Sequence, residues 1–285
     1  MPVAKTSIIG RFAPSPSGPL HMGSLVMAIA SYLDVKQSGG DWFIRIDDID
    51  PPRSVPGSTE AILKVLTDLG LESDLPIQYQ SEHEARYMRA FDEISEHLFY
   101  CTCTRAQLRD QPVYPGTCRD NKTPIDDAAV RINTETWAQV VFEDQFVGQQ
   151  KATAGVDFGD FIVKRRDGLW SYQFATAVDD GIDVTRALRG QDLLATTPQQ
   201  VGLMILLGLE VPEYCHLPTL HFEDGQKLSK QHHAPPVEAS NDNIELALEL
   251  LGQNKSGSLI EAIKSWDLNK VPRSLKPFPR LSHDC

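Results

Sequence analysis

A strand, a proline-rich loop, a helix and a second strand follow one another within the first fifty residues. Residues 7–12 and 42–46 are apolar runs of a length typical of buried strands. Residues 13–19 hold three prolines and a glycine and cannot form regular structure. The helix shows apolar side chains at helical spacing, namely Met22, Leu25, Val26, Ile29 and Leu33. Two strands joined through a helix predict a parallel sheet and an α/β fold, whose ligands bind beyond the carboxyl ends of the strands.

The charge balance restricts how the chain can bind a partner. The 285 residues carry a formal net charge of -12 at pH 7, which argues against binding of nucleic acid through bulk positive charge. Local basic candidates are residues 164–166 and a tail group of Lys264, Lys270, Arg273, Lys276 and Arg280, with scattered solvated charges as the alternative. Since the sequence has no run of about 18 apolar residues and no secretory signal pattern, we expect a cytoplasmic protein without a membrane partner.

Residues 21–24, His-Met-Gly-Ser, stand at the start of the predicted helix. A helix N-terminus offers unpaired N–H groups and a partial positive charge, which suit a phosphate group. His21 and Ser24 can form hydrogen bonds there, and Gly23 permits close approach of a nucleotide. A capped surface helix is the alternative for this string taken alone.

Residues 227–231, Lys-Leu-Ser-Lys-Gln, form a second string of interest. Lys227, Ser229 and Lys230 join the first string as candidates for binding ATP, and His21, Lys227 and Lys230 are the catalytic candidates. Preorganised cations stabilise the charge that builds up when a carboxylate attacks the α-phosphorus of ATP. The order and spacing of the two strings therefore favour adenylyl transfer over the alternative of solvated lysines.

Three of the five cysteines, Cys101, Cys103 and Cys118, lie close together in the sequence. The odd number and the spacing favour reduced thiols or a metal site over a disulfide framework. Two thiolates two residues apart can chelate one ion, and zinc prefers thiolate-rich sites. Chemistry alone would supply His97 or water as the fourth ligand, and three metal-free thiols are the alternative.

The later half of the chain gives weaker local signals. Residues 161–164 and 170–174 are apolar and flank an Arg-Asp-Gly turn at residues 166–168. Asp-Gly is typical of a hairpin tip, so this pattern predicts two antiparallel strands. Residues 58–98 are expected to be mostly helical, and residues 203–207 to lie in a further helix.

Four segments of the chain resemble the glutamyl branch of the class I aminoacyl-tRNA synthetases. Residues 11–25 and 43–53 closely resemble the opening of glutamyl-tRNA synthetases, with residues 21–24 in the place of the HIGH signature. Residues 189–192, Arg-Gly-Gln-Asp, are similar to their RGxD segment, and residues 227–231 to their KMSKS loop.

The resemblance runs from residue 7 to about residue 235 and contains three departures. Leu228 replaces the methionine of KMSKS, and Gln231 replaces its last residue. Ser24 stands in the place of the second histidine of HIGH, a change that this branch tolerates. Lys230, the lysine expected to contact the transition state, is kept, so we do not infer an inactive enzyme.

A glutamate site needs cationic groups for two carboxylates and an acidic group for the ammonium. The resemblance places such a site on Arg11, Phe12, Ala13, Pro14, Ser15, Asp47, Tyr172 and Arg189. Arginine pairs with carboxylates in bidentate fashion, which suits Arg11 and Arg189, whereas Asp47 suits the ammonium. Many relatives carry Glu in the place of Asp47, so a water or a small shift must bridge one methylene. A structural ion pair is the alternative for either arginine alone.

The resemblance implies a Rossmann-like, doubly wound parallel sheet with a zinc-bearing insert and a short helical C-terminal extension. Its expected segments are 1–98 and 161–234 as the two halves of the catalytic domain, 99–160 as the acceptor-binding insert, and 235–285 as the extension. The short glutamyl-queuosine enzymes carry a Cys-x-Cys…Tyr-x3-Cys site, which nominates Tyr114 as the fourth ligand of one structural zinc ion.

About 54 residues follow Gln231, too few for the helical anticodon-binding half of a full glutamyl-tRNA synthetase. The resemblance is therefore to the short glutamyl-Q tRNA(Asp) synthetases. It implies that ATP with Mg²⁺ activates glutamate without tRNA, and that the glutamyl group passes to queuosine in the anticodon stem-loop of tRNA(Asp). We expect a monomer. The alternatives are a minimal synthetase charging the 3′ end of tRNA(Glu) or tRNA(Gln), a small-molecule adenylyltransferase or ligase, and a non-catalytic tRNA-binding paralogue.

Overall fold

The computed structural model describes residues 7–228, 234–256 and 258–278. Their contacts group into two compact units. Among the described residues, the sheet unit comprises 7–79, Arg186–Leu193 and those from Tyr214 to residue 278, and the cysteine unit comprises Gln80–Thr185 and Leu194–Glu213. Within the described ranges, no helix combines the length and the apolarity that crossing a membrane requires.

Strands and helices alternate along most of the chain. The strands are β1 (Ile9–Phe12), β2 (Asp41–Ile46), β3 (Gln78–Tyr79), β4 (Leu98–Cys101), β5 (Ala129–Ile132), β6 (Val140–Asp144), β7 (Gly148–Ala152), β8 (Ile162–Lys164), β9 (Arg186–Gly190) and β10 (Glu213–Leu217). The helices are α1 (Met22–Gln37), α2 (Ser58–Asp68), α3 (Glu84–Glu93), α4 (Tyr172–Asp183), α5 (Thr197–Leu206), α6 (Asn241–Leu250) and α7 (Leu259–Ser265).

The sheet unit contains strands in the order β3-β2-β1-β9-β10. β1 runs parallel to both β2 and β9, and β2 runs parallel to β3. This confirms the parallel sheet and the α/β fold that the first fifty residues predict. Gly10 of β1 faces Val35 of α1 so closely that a Cβ atom would collide with the valine side chain. The glycine therefore allows the helix to pack directly on the strand.

Helix α1 forms the centre of the sheet unit and confirms the predicted helix. Leu25, Val26, Ile29 and Leu33 are fully buried, and burying each such side chain contributes about 1.5–3 kcal/mol. The helix ends at Gln37, and Gly39 then adopts a left-handed backbone with φ of 69°. Helices α6 and α7 both pack against α1.

The cysteine unit holds an antiparallel sheet in the order β4-β5-β8 and a hairpin of β6 with β7. Its helices α4 and α5 pack against each other. Helix α5 covers most of the predicted helix at 203–207. The expected helical stretch at 58–98 contains α2 and α3 but also the short strand β3, which belongs to the sheet unit.

The predicted hairpin at 161–174 is correct in its first strand and turn. Its second strand is limited to Trp170, which pairs antiparallel with Lys164, and Ser171, which donates its amide to the carbonyl of Val163 at 3.0 Å. Arg165 donates its amide to the carbonyl of Leu169 at 2.7 Å, which closes the turn. The chain then enters α4 at Tyr172, where the Ser171 hydroxyl caps the helix by accepting the amide of Phe174. The apolar alternation of residues 170–174 resembles a strand, but the eight consecutive residues from Phe174 to Gly181 are all buried within α4, which is therefore enclosed on every side.

Candidate active site and metal centre

His21 caps the N-terminus of α1 with its side chain. Its Nδ1 accepts the amide of Ser24 at 3.2 Å, and its Nε2 lies 3.1 Å from the Ser24 hydroxyl. Because Nδ1 accepts a hydrogen bond in this cap, it carries no proton, and the neutral imidazole has its proton on Nε2. The helix N-terminus thus presents backbone N–H groups together with a neutral histidine donor.

The start of the 227–231 string lies against this helix N-terminus. Leu228 is buried and donates its amide to the carbonyl of Leu220 at 2.8 Å, within a tight hairpin turned at Gly225. The carbonyl oxygen of Leu228 lies 3.4 Å from the position that a Cβ atom on Gly23 would occupy. The fold therefore brings the two strings together, although Ser229, Lys230 and Gln231 lie outside the described residues.

Lys227 forms an ion pair with Asp192, the last residue of the Arg-Gly-Gln-Asp segment. The Nζ to Oδ2 distance is 2.6 Å, and both side chains are about a third exposed. Asp192 is the second residue after β9, and a Cβ atom on Gly190 would collide with its carboxylate. The glycine therefore lets Asp192 fold back toward the sheet edge and reach Lys227.

The two predicted glutamate-binding arginines lie on the neighbouring strands β1 and β9. Both are buried, with 4% of Arg11 and 5% of Arg189 exposed. Arg11 donates from Nη1 to the carbonyl of Leu188 at 3.4 Å. Arg189 donates from Nε to Nε2 of His216 at 2.9 Å, and its guanidinium carbon lies 4.8 Å from the centre of the Tyr214 ring.

Asp47 follows β2 at the same carboxyl edge of the sheet. Its amide donates to the carbonyl of Pro14 at 3.0 Å, which ties the proline-rich loop to the sheet. Its Oδ1 accepts from Nε of Arg45 at 2.8 Å, and both side chains are buried. A buried ion pair is therefore present at Asp47, through an arginine that the sequence patterns did not single out.

The remaining predicted glutamate-binding residues divide between the two units. Phe12 ends β1, and Ala13, Pro14 and Ser15 follow it in the sheet unit, where Ser17 donates its amide to the carbonyl of Ser15 at 2.9 Å. Tyr172 belongs to the cysteine unit and is the first residue of α4.

The cysteine unit brings the predicted metal ligands into one cluster. The Sγ atoms of Cys101, Cys103 and Cys118 all lie within 4.8 Å of one another. Those of Cys103 and Cys118 are 3.6 Å apart, and the Tyr114 hydroxyl lies 3.4 Å from Sγ of Cys101 and 3.8 Å from Sγ of Cys103. His97 is not a member of this cluster within the described residues.

These distances fit one tetrahedral ion. With metal–sulfur bonds of about 2.3 Å and a metal–oxygen bond of about 2.1 Å, tetrahedral angles separate two sulfurs by about 3.8 Å and a sulfur from an oxygen by about 3.6 Å. The observed separations of 3.4, 3.6 and 3.8 Å lie around these values. The three thiols are soft donors, which zinc accepts more readily than magnesium or calcium does, and the phenol adds one oxygen donor.

The surroundings shift the pKa values of the clustered thiols and the phenol in different directions. Burial acts to raise the pKa of Cys118, but hydrogen bonds from Tyr114, the backbone of Thr102 and the two other thiols lower it to about 7. Burial and then bonds to Cys101 and Cys118 raise the pKa of Tyr114, and burial raises the pKa of Cys103. Cys118 is therefore more readily available as an anionic metal ligand than Cys103 or Tyr114.

A cavity of about 710 Å³ opens beside the cysteine cluster, along β5 and β8. Four guanidinium groups and two carboxylates line it, those of Arg105, Arg131, Arg165, Arg166, Asp127 and Asp167. Arg165 pairs with Asp167 at 2.6 Å, and Arg166 pairs with Asp127 at 3.1 Å, both in exposed positions. Arg165 and Arg166 of the basic candidate at residues 164–166 are thus part of a locally positive surface on an acidic chain, whereas Nζ of Lys164 lies 4.4 Å from the centre of the Trp170 ring.

Sequence patterns missed Arg45, Tyr214 and His216. Arg45 is a charged residue inside an apolar strand pattern, where a buried charge needs a partner nearby, and that signal could have found it. Tyr214 and His216 show no local signal, since their relation to Arg189 arises only when β10 takes its place beside β9.

Comparison with known proteins shows the family. The family described as tRNA synthetases class I (E and Q), catalytic domain, matches residues 7–113 and 116–244. The glutamyl-Q tRNA(Asp) synthetase of Pseudomonas paraeruginosa (strain DSM 24068 / PA7) is 42% identical, with 94% of this chain and 96% of that protein covered. That of Cronobacter sakazakii (strain ATCC BAA-894) is 40% identical, with 96% and 97% covered.

Solved structures agree with this result. The glutamate tRNA ligase from Elizabethkingia meningosepticum CCUG26117, in complex with its amino acid, superposes with a TM-score of 0.80 at 25% identity. The match covers 95% of this chain and 67% of that ligase. The chain therefore belongs to the class I tRNA synthetases of the E and Q type, and within them to the ligases of the glutamyl-Q tRNA(Asp) synthetase family.

Proposed function

We propose that this ligase activates glutamate with ATP and transfers the glutamyl group to queuosine in the anticodon loop of tRNA(Asp). The observation that carries this proposal is the match to glutamyl-Q tRNA(Asp) synthetases, at 40–43% identity over at least 94% of the chain. The site supports it because the two strings suited to ATP meet at Gly23 and Leu228.

In the first step, a carboxylate oxygen of glutamate attacks the α-phosphorus of ATP, and the bond to the leaving pyrophosphate breaks. The N-terminus of α1 and the Nε2 proton of His21 stabilise the charge on the phosphoryl oxygens. Lys227 exchanges its exposed partner Asp192 for pyrophosphate oxygens, since an exposed ion pair contributes only about 0–1 kcal/mol. Lys230 supplies the second cation.

Glutamate binds at the carboxyl edge of the sheet. Arg11 and Arg189 are buried cations on adjacent strands and pair with its carboxylates. Asp47, whose Oδ1 is bound by Arg45, offers its carboxylate to the ammonium group. The assignment of the Tyr172 hydroxyl to glutamate rests on the resemblance to glutamyl-tRNA synthetases alone.

In the second step, a hydroxyl oxygen of the queuosine cyclopentenediol attacks the activated carbonyl carbon. The bond to AMP breaks, and the hydroxyl proton is released to solvent. The arginine-lined cavity of the cysteine unit contacts the RNA backbone, where phosphates replace the exposed carboxylates of Asp127 and Asp167. The first step proceeds without tRNA.

Cys101, Cys103, Cys118 and Tyr114 hold one zinc ion in this proposal. A zinc ion bound there supplies a structural cross-link between the end of β4 and the segment that carries Tyr114 and Cys118. The separations between these four side chains support this assignment. The ion takes no part in either step, and it orders the wall of the arginine-lined cavity to which Cys101 and Cys103 belong.

Transfer of labelled glutamate to total tRNA from cells with and without queuosine tests the function. We expect label only on queuosine-containing tRNA. Equal label on both preparations would indicate charging of the 3′ end. Pyrophosphate exchange without any labelled RNA would instead indicate a small-molecule acceptor and overturn the proposal.

A further inference from the structure

Arg189 is held by an acceptor that carries no charge. Its Nε–H donates to Nε2 of His216 at 2.9 Å, and 5% of Arg189 and none of His216 is exposed. A guanidinium Nε–H can only donate, so Nε2 of His216 must be the acceptor. The imidazole is therefore neutral, with its proton on Nδ1.

The surroundings of His216 fix the plane of the guanidinium. Tyr214 and His216 are two residues apart on β10, so their side chains point to the same face of the strand. Their rings stack with centres 5.6 Å apart and an interplanar angle of 22°. The Arg189 guanidinium lies over the Tyr214 ring at 4.8 Å. Tyr214 thus packs against the flat face of the Arg189 guanidinium, while His216 accepts a hydrogen bond from its edge.

The contrast with Arg45 shows what a neutral acceptor achieves. Arg45 donates its own Nε–H to a carboxylate, Asp47, which neutralises its charge. A carboxylate in the place of His216 would orient Arg189 equally well, but it would compete electrostatically with any anionic ligand. An imidazole orients the arginine without placing a negative charge beside it.

We propose that His216 is a positioning residue for glutamate, which fixes the guanidinium of Arg189 for bidentate pairing with a substrate carboxylate without neutralising it. This inference rests on the proposed role of Arg189 in binding glutamate. It assigns to His216 an effect on glutamate affinity that is separate from ATP binding.

Three substitutions at one position separate orientation from charge. His216→Gln keeps a neutral acceptor, His216→Leu removes the acceptor, and His216→Glu keeps an acceptor but adds a negative charge. Cys215→Ala is the matched control, since Cys215 is buried on the same strand with its side chain on the opposite face. Glutamate-dependent ATP–pyrophosphate exchange gives KM for glutamate and KM for ATP in each variant of the full chain.

We expect KM for glutamate to rise about tenfold or more in His216→Leu and His216→Glu, since a hydrogen bond to a charged group contributes a factor on the order of ten. His216→Gln should remain within a few-fold of the wild type, and KM for ATP should not change in any variant. If His216→Glu binds glutamate as well as His216→Gln, or if Cys215→Ala raises KM equally, the inference is overturned. Absence of glutamate-dependent exchange in the wild type would instead contradict the proposed function.

Discussion

The backbone carbonyl oxygen of Leu228 faces Gly23, 3.4 Å from where a Cβ atom on that glycine would lie. The same Cβ would lie 3.2 Å from Cε1 and Nδ1 of the His21 ring. Gly23 is therefore enclosed by the histidine that caps α1 and by the segment that leads into the second string. A Cβ atom at this position would press on the His21 ring and would stand in ordinary van der Waals contact with the Leu228 carbonyl.

Gly23→Ala should reduce the rate of glutamate-dependent pyrophosphate exchange by about tenfold, because the His21 ring must shift by a few tenths of an ångström and a misplaced donor loses its contribution to the transition state. The melting temperature should change little, since alanine favours a helix more than glycine does. Gly39→Ala is the control for activity alone, because Gly39 has open space around it and lies at the other end of α1. Its left-handed backbone makes alanine unfavourable there, so its melting temperature should fall while its exchange rate stays unchanged. Full activity of Gly23→Ala would show that the enclosure has no catalytic role.

The two nitrogens of His21 have separable effects, which His21→Ala and His21→Asn distinguish. Alanine removes the helix cap and should cost about 1 kcal/mol of stability. Asparagine offers an acceptor for the Ser24 amide, so the melting temperature of His21→Asn should stay near that of the wild type. It offers no group in the place of Nε2. Both variants should lose on the order of 100-fold in exchange rate. Recovery of activity in His21→Asn would assign the effect to the cap alone.

Lys227 should matter for the reaction rate and hardly at all for stability. The pair with Asp192 is about a third exposed on both sides, so its loss in Lys227→Ala should change the free energy of unfolding by less than about 1 kcal/mol. The exchange rate at saturating glutamate should fall by about tenfold or more. Asp192→Asn keeps the lysine and should lose much less activity, and equal losses in the two variants would mean that the ion pair itself is required.

The local sequence pattern was sufficient to predict the β1-α1-β2 segment, because the apolar periodicity, the proline-rich loop and the glycines after the helix all indicate the same element boundaries. It was insufficient at residues 170–174, where five residues with strand-like alternation are shorter than the helix they begin. It also could not reveal His216, because the partner of Arg189 lies 27 residues away on another strand. The cysteine spacing gave the cluster correctly, since two ligands two residues apart remain neighbours in almost any local conformation.

Tyr114→Phe tests the fourth ligand of the cysteine cluster. Phenylalanine keeps the ring that packs against Phe99 but removes the oxygen that lies 3.4 Å from Sγ of Cys101. Zinc should still bind through three thiolates, yet its transfer to a competing chelator should become about tenfold faster or more. The double variant Cys101→Ser with Cys103→Ser should contain no zinc by elemental analysis. An unchanged transfer rate in Tyr114→Phe would exclude the phenol as a ligand.

Asp179 should be the most sensitive stability position of the cysteine unit. This fully buried carboxylate of α4 accepts four hydrogen bonds of 2.6–3.0 Å, from Gln80, His83, Arg86 and Tyr87. Burial acts to lower the pKa of Arg86, but its bonds to Asp183 and Asp179 raise it, so the arginine remains a cation that needs both partners. Asp179→Asn removes the buried charge and should destabilise the protein by about 3 kcal/mol.

Asp183→Asn is the matched control for this substitution, because Asp183 binds the same arginine from a position that is 21% exposed. It should cost about 1 kcal/mol at most. Urea unfolding followed by circular dichroism gives both values as shifts of the transition midpoint. A shift in Asp179→Asn no larger than that in Asp183→Asn would contradict the importance of the four-donor network, because it would show that the arginine alone accounts for the role of the carboxylate.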